Sequence, residues 1–336
     1  MTYDSVFNIT REELLSLSEK TKGFHYSCLR KWLSSACDDF DKMTTLPSDL
    51  RDRLKERYNR VYSSEVVEIK EDINAKKLLV KLFDGAYIEC VLLTDYKNNH
   101  TACLSSEVGC RMKCEFCATG NIGFKRDLYS FEIIEQFFHL KKVCEKIDRI
   151  VYMGMGEPLC NFNAVKESIL YFKNECGLSA RRITVSTSGY VKGIKELADA
   201  KLGVKLAVSL VTADDESREK LMSAARLYPL DELKKTLLYY KSKDSQRIAL
   251  EYCLISGINT DLSSVKKISL FADKLIYSLN VIPWNTIENL PFKTPDNKEI
   301  EAFTALLKKY NIPFTIRESK GQKTYSACGM LVAKHK

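Results

Sequence analysis

Along the first sixty residues, apolar side chains recur at helical spacing. Thr10-Arg11-Glu12-Glu13 forms a capping box ahead of Leu14 and Leu15. Phe24, Cys28, Leu29, Trp32 and Leu33 follow at that spacing, and after Pro47 so do Leu50, Leu54 and Tyr58. A helical N-terminal domain is predicted over residues 1–60. Over residues 61–98 the period shortens to that of strands: 66–69, 78–83, then 86–89, with Asp84-Gly85 between the last two as a hairpin turn. This predicts a small antiparallel β module. Beyond it, apolar β-branched runs at 149–154, 183–187, 204–210, 248–254, 279–283 and 313–316 alternate with helical stretches such as 131–143, 165–172 and 300–310. Alternation of this kind means parallel βα units. Six or seven of them fall short of a closed eightfold barrel. The expected fold class is therefore α/β, a partial open (β/α)6-type barrel over 99–320 with a C-terminal tail at 321–336.

Composition narrows the picture. The chain is 45% hydrophobic and 29% charged, enough for a sizeable core and incompatible with wholesale disorder. Lys and Arg exceed Asp and Glu by 52 − 44 = 8, a balance that suits a polyanionic partner or simply a basic surface. No run reaches the roughly 18 apolar residues of a membrane span. Met1-Thr2-Tyr3-Asp4-Ser5 lacks the basic start of a signal peptide. A cytoplasmic protein with no membrane partner is expected, and its twelve Cys are then reduced thiols open to metal or redox chemistry. The four His are scattered at 25, 100, 139 and 335, which disfavours His-based metal binding or a His-containing triad.

The sharpest motif is Gly109-Cys110-Arg111-Met112-Lys113-Cys114-Glu115-Phe116-Cys117, a C-x3-C-x2-C triplet. Three thiolates this close can wrap one face of a metal centre. A structural Zn site wants a fourth ligand, and no Cys or His follows in the next twenty residues. A 4Fe–4S cluster on Cys110, Cys114 and Cys117 leaves one iron open for catalysis. A second motif, Met153-Gly154-Met155-Gly156-Glu157-Pro158, ends a predicted strand: glycines that admit a close ligand, and a carboxylate able to accept from an ammonium. A dinucleotide loop would need G-x-G-x-x-G, and position 159 is Leu.

The cysteine spacing, with Phe116 before the third Cys, resembles the radical S-adenosylmethionine (SAM) superfamily. That resemblance implies that the open iron chelates the amino and carboxylate groups of SAM, and that Gly156 and Glu157 hold its amino group. Asp39-Phe40-Asp41-Lys42-Met43-Thr44-Thr45-Leu46-Pro47, residues 101–120, Ser186-Thr187-Ser188-Gly189, Ile282-Pro283-Trp284-Asn285 and Ser326-Ala327-Cys328-Gly329 narrow it. In order and over essentially the whole chain, they resemble the RlmN/Cfr family of rRNA adenine methyltransferases.

The family resemblance implies methylation of an adenine carbon, C2 or C8, in 23S rRNA. Cys328 would be the methyl carrier, Cys103 the partner in a disulfide that releases the product, and Glu89 the proton acceptor. SAM contacts would come from Gly156, Glu157, Ser188, Ser209, Leu210, Val211 and Asn285. A reducing electron donor such as flavodoxin and a monomeric state are further expectations. Alone, Cys103 reads as a small core residue, Glu89 as the polar face of a strand, and Cys328 as an idle thiol. The remaining Cys (28, 37, 90, 144, 160, 176, 253) read as structural, Trp32 as core, and Trp284 as a neighbour of the SAM site.

Departures from the family pattern fall at Val211, where His is usual, at Ser223-Ala224-Ala225, at Gly321-Gln322-Lys323-Thr324 and at Met330. Basic pairs such as Lys76-Lys77, Lys141-Lys142 and Lys234-Lys235 read as solvated helix faces rather than phosphate contacts. Two other functions stay open: the same chemistry on another RNA such as tRNA, and a non-catalytic iron–sulfur protein that binds RNA or senses redox state. Cys103, Cys328 and Glu157 argue against the latter, since a pure binder has no use for them.

Overall fold

The computed structural model describes residues 4–244, 246–317 and 328–332. Three helices open the chain: α1 (Arg11–Ser16), α2 (Gly23–Ser34) and α3 (Ser48–Tyr58). The Thr10–Glu13 capping box forms, with reciprocal bonds of 3.2 and 2.8 Å. On α2 the buried stripe is His25, Leu29 and Leu33, while Phe24 faces solvent and Trp32 is half-buried. The His25 ring caps the helix by accepting the Lys22 N–H at 2.9 Å. That turns residue 25 inward and residue 24 outward, which apolar periodicity alone does not reveal.

The strands β1 (Glu65–Asp72), β2 (Ala75–Lys81) and β3 (Tyr87–Thr94) form an antiparallel meander. The β2–β3 turn is closed by the Gly85 N–H on the Leu82 carbonyl at 2.9 Å, with Gly85 at φ +81°. β3 then pairs antiparallel with β4 (His100–Cys103), so the meander is continuous with the main sheet. Next come a two-stranded ribbon, β5 (Glu107–Gly109) and β6 (Phe124–Asp127), with α4 (Ala118–Asn121) inside its loop.

The βα units follow: α5 (Ser130–Val143), β7 (Arg149–Tyr152), α6 (Phe162–Asn174), β8 (Ile183–Thr187), α7 (Val191–Ala200), β9 (Lys205–Ser209). After α8 (Asp215–Leu221), α9 (Ser223–Leu227) and α10 (Leu230–Lys243) come β10 (Ile248–Leu254), α11 (Leu262–Ala272), β11 (Tyr277–Pro283), α12 (Asn297–Lys309) and β12 (Phe314–Ile316). The sheet order is β1-β2-β3-β4-β7-β8-β9-β10-β11-β12, parallel from β4 onward, and its two edges do not meet. This is the open α/β architecture expected from the alternating pattern.

α5 is buried nearly all round because it is covered twice, by the sheet and by the N-terminal helices. Phe7 stacks on Phe138 with centroids 5.5 Å apart, and the Glu135 carboxylate accepts the backbone N–H and hydroxyl groups of both Ser63 and Ser64. In three of the basic pairs one lysine braces the fold, while Lys142 and Lys235 stay on the exposed face. Lys77 lies on a strand, buried, with Nζ 2.8 Å from Glu89. Lys141 and Lys234 donate to the carbonyls of Ser34 and Leu270. Long apolar stems let such side chains cross the surface to a carbonyl.

Candidate active site

The loops leaving the C-terminal ends of the parallel strands meet around one cavity, where barrel folds build their sites. Its wall carries Cys110, Cys114, Cys117, Gly156, Glu157 and Ser188 from the earlier part of the chain, and Ser209, Val211, Asn285 and Cys328 from the later part. A second cavity of about 590 Å³ adjoins it, shares Cys117, Met153, Asn285, Arg317 and Cys328 with it, and adds Cys103. Of the predicted site residues, Leu210 and Glu89 line neither cavity. Leu210 points into the core, so only its main chain is left to meet a ligand.

The cysteine loop hangs between β5 and β6. Gly109 sits at φ +79°, and a Cβ there would come 1.8 Å from the Gly123 carbonyl oxygen, so only glycine closes the ribbon. Glu107 is wholly buried and grips the loop: its carboxylate lies 2.6 Å from Arg111 Nε and accepts the Arg111 N–H at 3.2 Å. Burial pushes this carboxyl up to about 7, with Arg111 pulling the other way. The Arg111 guanidinium also covers the Phe124 ring, 4.1 Å from its centroid. Trp284 Nε1 donates to the Phe116 carbonyl at 2.9 Å, which fixes the aromatic of the motif from β11.

Burial raises the thiols of Cys110 and Cys114 far above their ordinary range. Their thiolates therefore need a cationic centre close by. Among the described residues no three His, Cys, Asp or Glu groups converge as a single-ion site requires. The loop itself supplies three soft thiol donors, which suit a 4Fe–4S cluster with one open iron; Cys253 and Cys328, which line the same cavity, come from other elements.

Beside them, Gly156 lies at φ +104°, and a Cβ would meet the Glu107 side chain at 2.6 Å. The Glu157 carboxylate is buried, which raises its pKa; it accepts the Ser188 N–H at 2.7 Å and the Leu159 N–H at 3.2 Å. Each oxygen keeps a lone pair for a further donor. Ser188 Oγ is buried on the cavity wall with no hydrogen-bond partner, an orphan that a polar ligand such as SAM would satisfy. In the later part of the wall Val211 is left-handed at φ +58°, which is costly for a β-branched residue. It is held there by Asn259 Nδ2 on its carbonyl at 2.8 Å.

Behind both walls lies Arg218, wholly buried, donating to the carbonyls of Ser188, Leu210 and Ser209 at 2.8, 3.2 and 3.4 Å. Ser223 bonds the Met112 carbonyl, and Met330 is buried, so two of the departures pack against the cysteine loop and core. The Gly321-Gln322-Lys323-Thr324 departure lies outside the described residues, as does most of the 321–336 tail.

The segment 328–332 is hung on four hydrogen bonds. The Ala118 N–H reaches the Gly329 carbonyl (2.7 Å), Thr119 Oγ1 the Leu331 carbonyl (2.7 Å) and Asn285 Nδ2 the Cys328 carbonyl (3.2 Å); the Val332 N–H reaches Glu89 (2.9 Å). Cys328 is open to the cavities yet closely ringed by protein, and its thiol is raised, with Arg317 opposing the rise. The Cys103 thiol is pushed up to about 12 by burial. All twelve cysteines are free, so the disulfide implied by the resemblance is not formed here.

Sequence reasoning missed Glu107, Arg218, Glu251, Arg317 and Cys253. Cys253, expected to be structural, lines the cavity because it shares a face of β10 with Glu251, two residues away. Glu251 pairs with Arg317 at 3.5 Å. A lone acid inside the apolar run Leu250-Glu251-Tyr252 was the available signal for that face.

Residues 105–262 match the radical SAM superfamily. The crystal structure of a radical SAM methyltransferase from Sphaerobacter thermophilus superposes with a TM-score of 0.92 at 33% identity, covering 98% of this chain and 99% of that one. The fold is thus that of a radical SAM methyltransferase. The probable dual-specificity RNA methyltransferase RlmN of Treponema denticola is 43% identical over 95% of this chain and 93% of its own length. That of Carboxydothermus hydrogenoformans is 40% identical over 98% of both. The chain belongs to the RlmN family of radical SAM RNA methyltransferases. No helix among the described residues is long and apolar enough to cross a membrane.

Proposed function

We propose that this chain methylates an adenine carbon, C2 or C8, in 23S rRNA, with Cys328 carrying the methyl group. The observation that carries the reading is the placement of Cys328. It opens both to the cavity holding the cysteine triplet and Glu157 and to the cavity holding Cys103. When bound, a 4Fe–4S cluster on Cys110, Cys114 and Cys117, together with SAM, supplies the methyl group and the radical chemistry.

The chain's own residues do the remainder. Glu157 accepts from the SAM ammonium, and Ser188 Oγ gains its missing partner. Gly156 admits the ligand to its backbone, while Ser209, Leu210 and Val211 meet it through main chain. Asn285 fixes the Cys328 backbone beside it. The Cys328 sulfur is the methyl carrier because an adenine amidine carbon is not nucleophilic and cannot take a methyl directly from an electrophile. The Cys103 thiolate then attacks the Cys328 sulfur. The Cys328 sulfur–carbon bond breaks with its electron pair passing to the carbon left on the adenine, that carbon takes a proton to become the methyl group, and a Cys103–Cys328 disulfide remains. Glu89, the proton acceptor that the resemblance implies, lines neither cavity and is paired with Lys77, so no proton step is assigned to it; its bond to Val332 braces the segment that bears Cys328.

An adenine reaches such a chamber only when unstacked, which favours loops or unfolded rRNA over duplex. The N-terminal helices of residues 1–60 and the meander are read as further grips on RNA. A flavodoxin-like electron donor, a monomeric state and a cytoplasmic location complete the reading.

The test is expression in cells lacking such methyltransferases, with mass spectrometry of rRNA and tRNA nucleosides beside a Cys328→Ala control. 2-Methyladenosine or 8-methyladenosine in rRNA that vanishes in Cys328→Ala supports the reading and fixes the carbon. Methylation confined to tRNA moves the substrate. RNA binding without SAM cleavage identifies a non-catalytic protein.

A further inference from the structure

The second cavity is lined by residues of β3, β4, β7, β11 and β12 and of the loops beside them. At one end are Cys103 and Cys328; at the other are Thr101 and Arg149, register partners where β4 and β7 begin. The turn of residues 95–99, joining β3 to β4, overhangs this far end. On it stands Tyr96, which lines the cavity and is 90% exposed; no aromatic ring among the described residues is more so.

The turn is braced. Asp95 Oδ1 accepts the Lys97 and Asn99 N–H groups at 2.8 and 2.9 Å, and its other oxygen takes Arg149 Nη1 at 3.0 Å. Asn98 supplies the left-handed residue at φ +58° that the reversal needs. The Tyr96 ring is therefore held out in water by a fixed backbone, with Lys97 Nζ 5.5 Å from its centroid. An exposed ring beside a lysine, carried on a braced turn at the mouth of a cavity that reaches a transfer cysteine, is an arrangement that stacks an unpaired base.

We propose that Tyr96 is a stacking platform for an unpaired nucleotide of the RNA substrate, which enters the chamber at the 95–99 turn and reaches Cys328 from that side. This rests on the reading of Cys328 as methyl carrier to an RNA base. The face of a tyrosine accepts any base, so the platform sets the path of the strand and not its sequence.

The test uses cluster-loaded enzyme and unmodified 23S rRNA made by in vitro transcription. RNA affinity is read by filter binding at one fixed salt concentration. Tyr96→Ala is expected to weaken binding about 5- to 150-fold, the span of a base–aromatic stack. Tyr96→Phe and Tyr96→Trp are expected to bind as the parent does. Equal binding by Tyr96→Ala, or equal loss in Tyr96→Phe, overturns the platform, the latter by moving the effect to the hydroxyl. Methylated adenosine is assayed separately with the parent enzyme. If none forms while Tyr96→Ala still weakens binding, the methyl-transfer reading falls and the platform stands.

Discussion

The two walls of the cavity are made in different ways. Residues 105–189 build theirs from backbone and buried charge. Gly109 and Gly156 occupy positions that no Cβ can share, Glu107 clamps the cysteine loop through Arg111, and Glu157 bridges to Ser188. Residues 209–331 build theirs from long-range side-chain ties. Asn259 holds a strained Val211, and the 328–332 segment hangs on Ala118, Thr119, Asn285 and Glu89. The first wall tolerates almost no substitution at its centre. The second is a set of separable bonds, and it is where this chain departs from its family, at Val211, Ser223 and Met330.

The strongest way to break this contrast is Gly156→Ala. The added methyl meets Glu107 at 2.6 Å at φ +104°, so loop and cofactor contacts must shift. SAM cleavage and methyl transfer are expected to fall about 100-fold or more, as small misplacements at reacting centres do. Parent-like turnover would show that the first wall is not rigid. Arg218→Met tests the seam between the walls. It removes the donor shared by the Ser188, Leu210 and Ser209 carbonyls, of which Leu210 keeps the Thr212 N–H at 2.6 Å, and is expected to cost about 3 kcal/mol in denaturant unfolding, while Arg218→Lys recovers part of the loss.

The same contrast explains what the sequence discloses. Cys110, Cys114 and Cys117, Gly156 and Glu157 stand in short contiguous motifs whose chemistry follows from spacing. The strands were legible because parallel buried strands read as β-branched runs. Arg218 and Arg317 were not. A lone Arg in a polar helix, or one residue past a short strand, carries no local mark of burial, and only the sheet order brings each to the site. Cys253 was misread for the same reason: periodicity tells which residues share a strand face, not which face turns toward the cavity. Phe24 and Lys77 are smaller instances, since a capping His and a cross-strand Glu decided their exposure.

Glu107→Gln sharpens the account of the first wall through pH. Folding raises this carboxyl from 4.5 to about 7 through burial, so the folded state holds the proton more tightly than the unfolded chain does. Its contribution is full below about pH 4.5 and is lost as pH rises through about 7. The thermal midpoint of the parent should therefore fall across that window. In Glu107→Gln, where nothing at this position ionises, the profile should flatten there. An unchanged slope would move the origin of the pH dependence to another buried acid.

The smallest effect bears on how the second wall leans on the first. Thr119 follows the cysteine triplet by two residues, and its hydroxyl reaches across to the Leu331 carbonyl at 2.7 Å. Thr119→Val keeps shape and burial and deletes only that bond, for about 1 kcal/mol. Because the segment has three other ties, the loss should appear as local opening, not global unfolding. Alkylation of Cys328 by iodoacetamide is the sensitive readout: about 1 kcal/mol corresponds to roughly a fivefold faster reaction if opening limits access. The thermal midpoint should hardly move. An unchanged alkylation rate would mean that Cys328 is held by Asn285 and Ala118 alone, and that the cysteine loop positions the methyl carrier through backbone only.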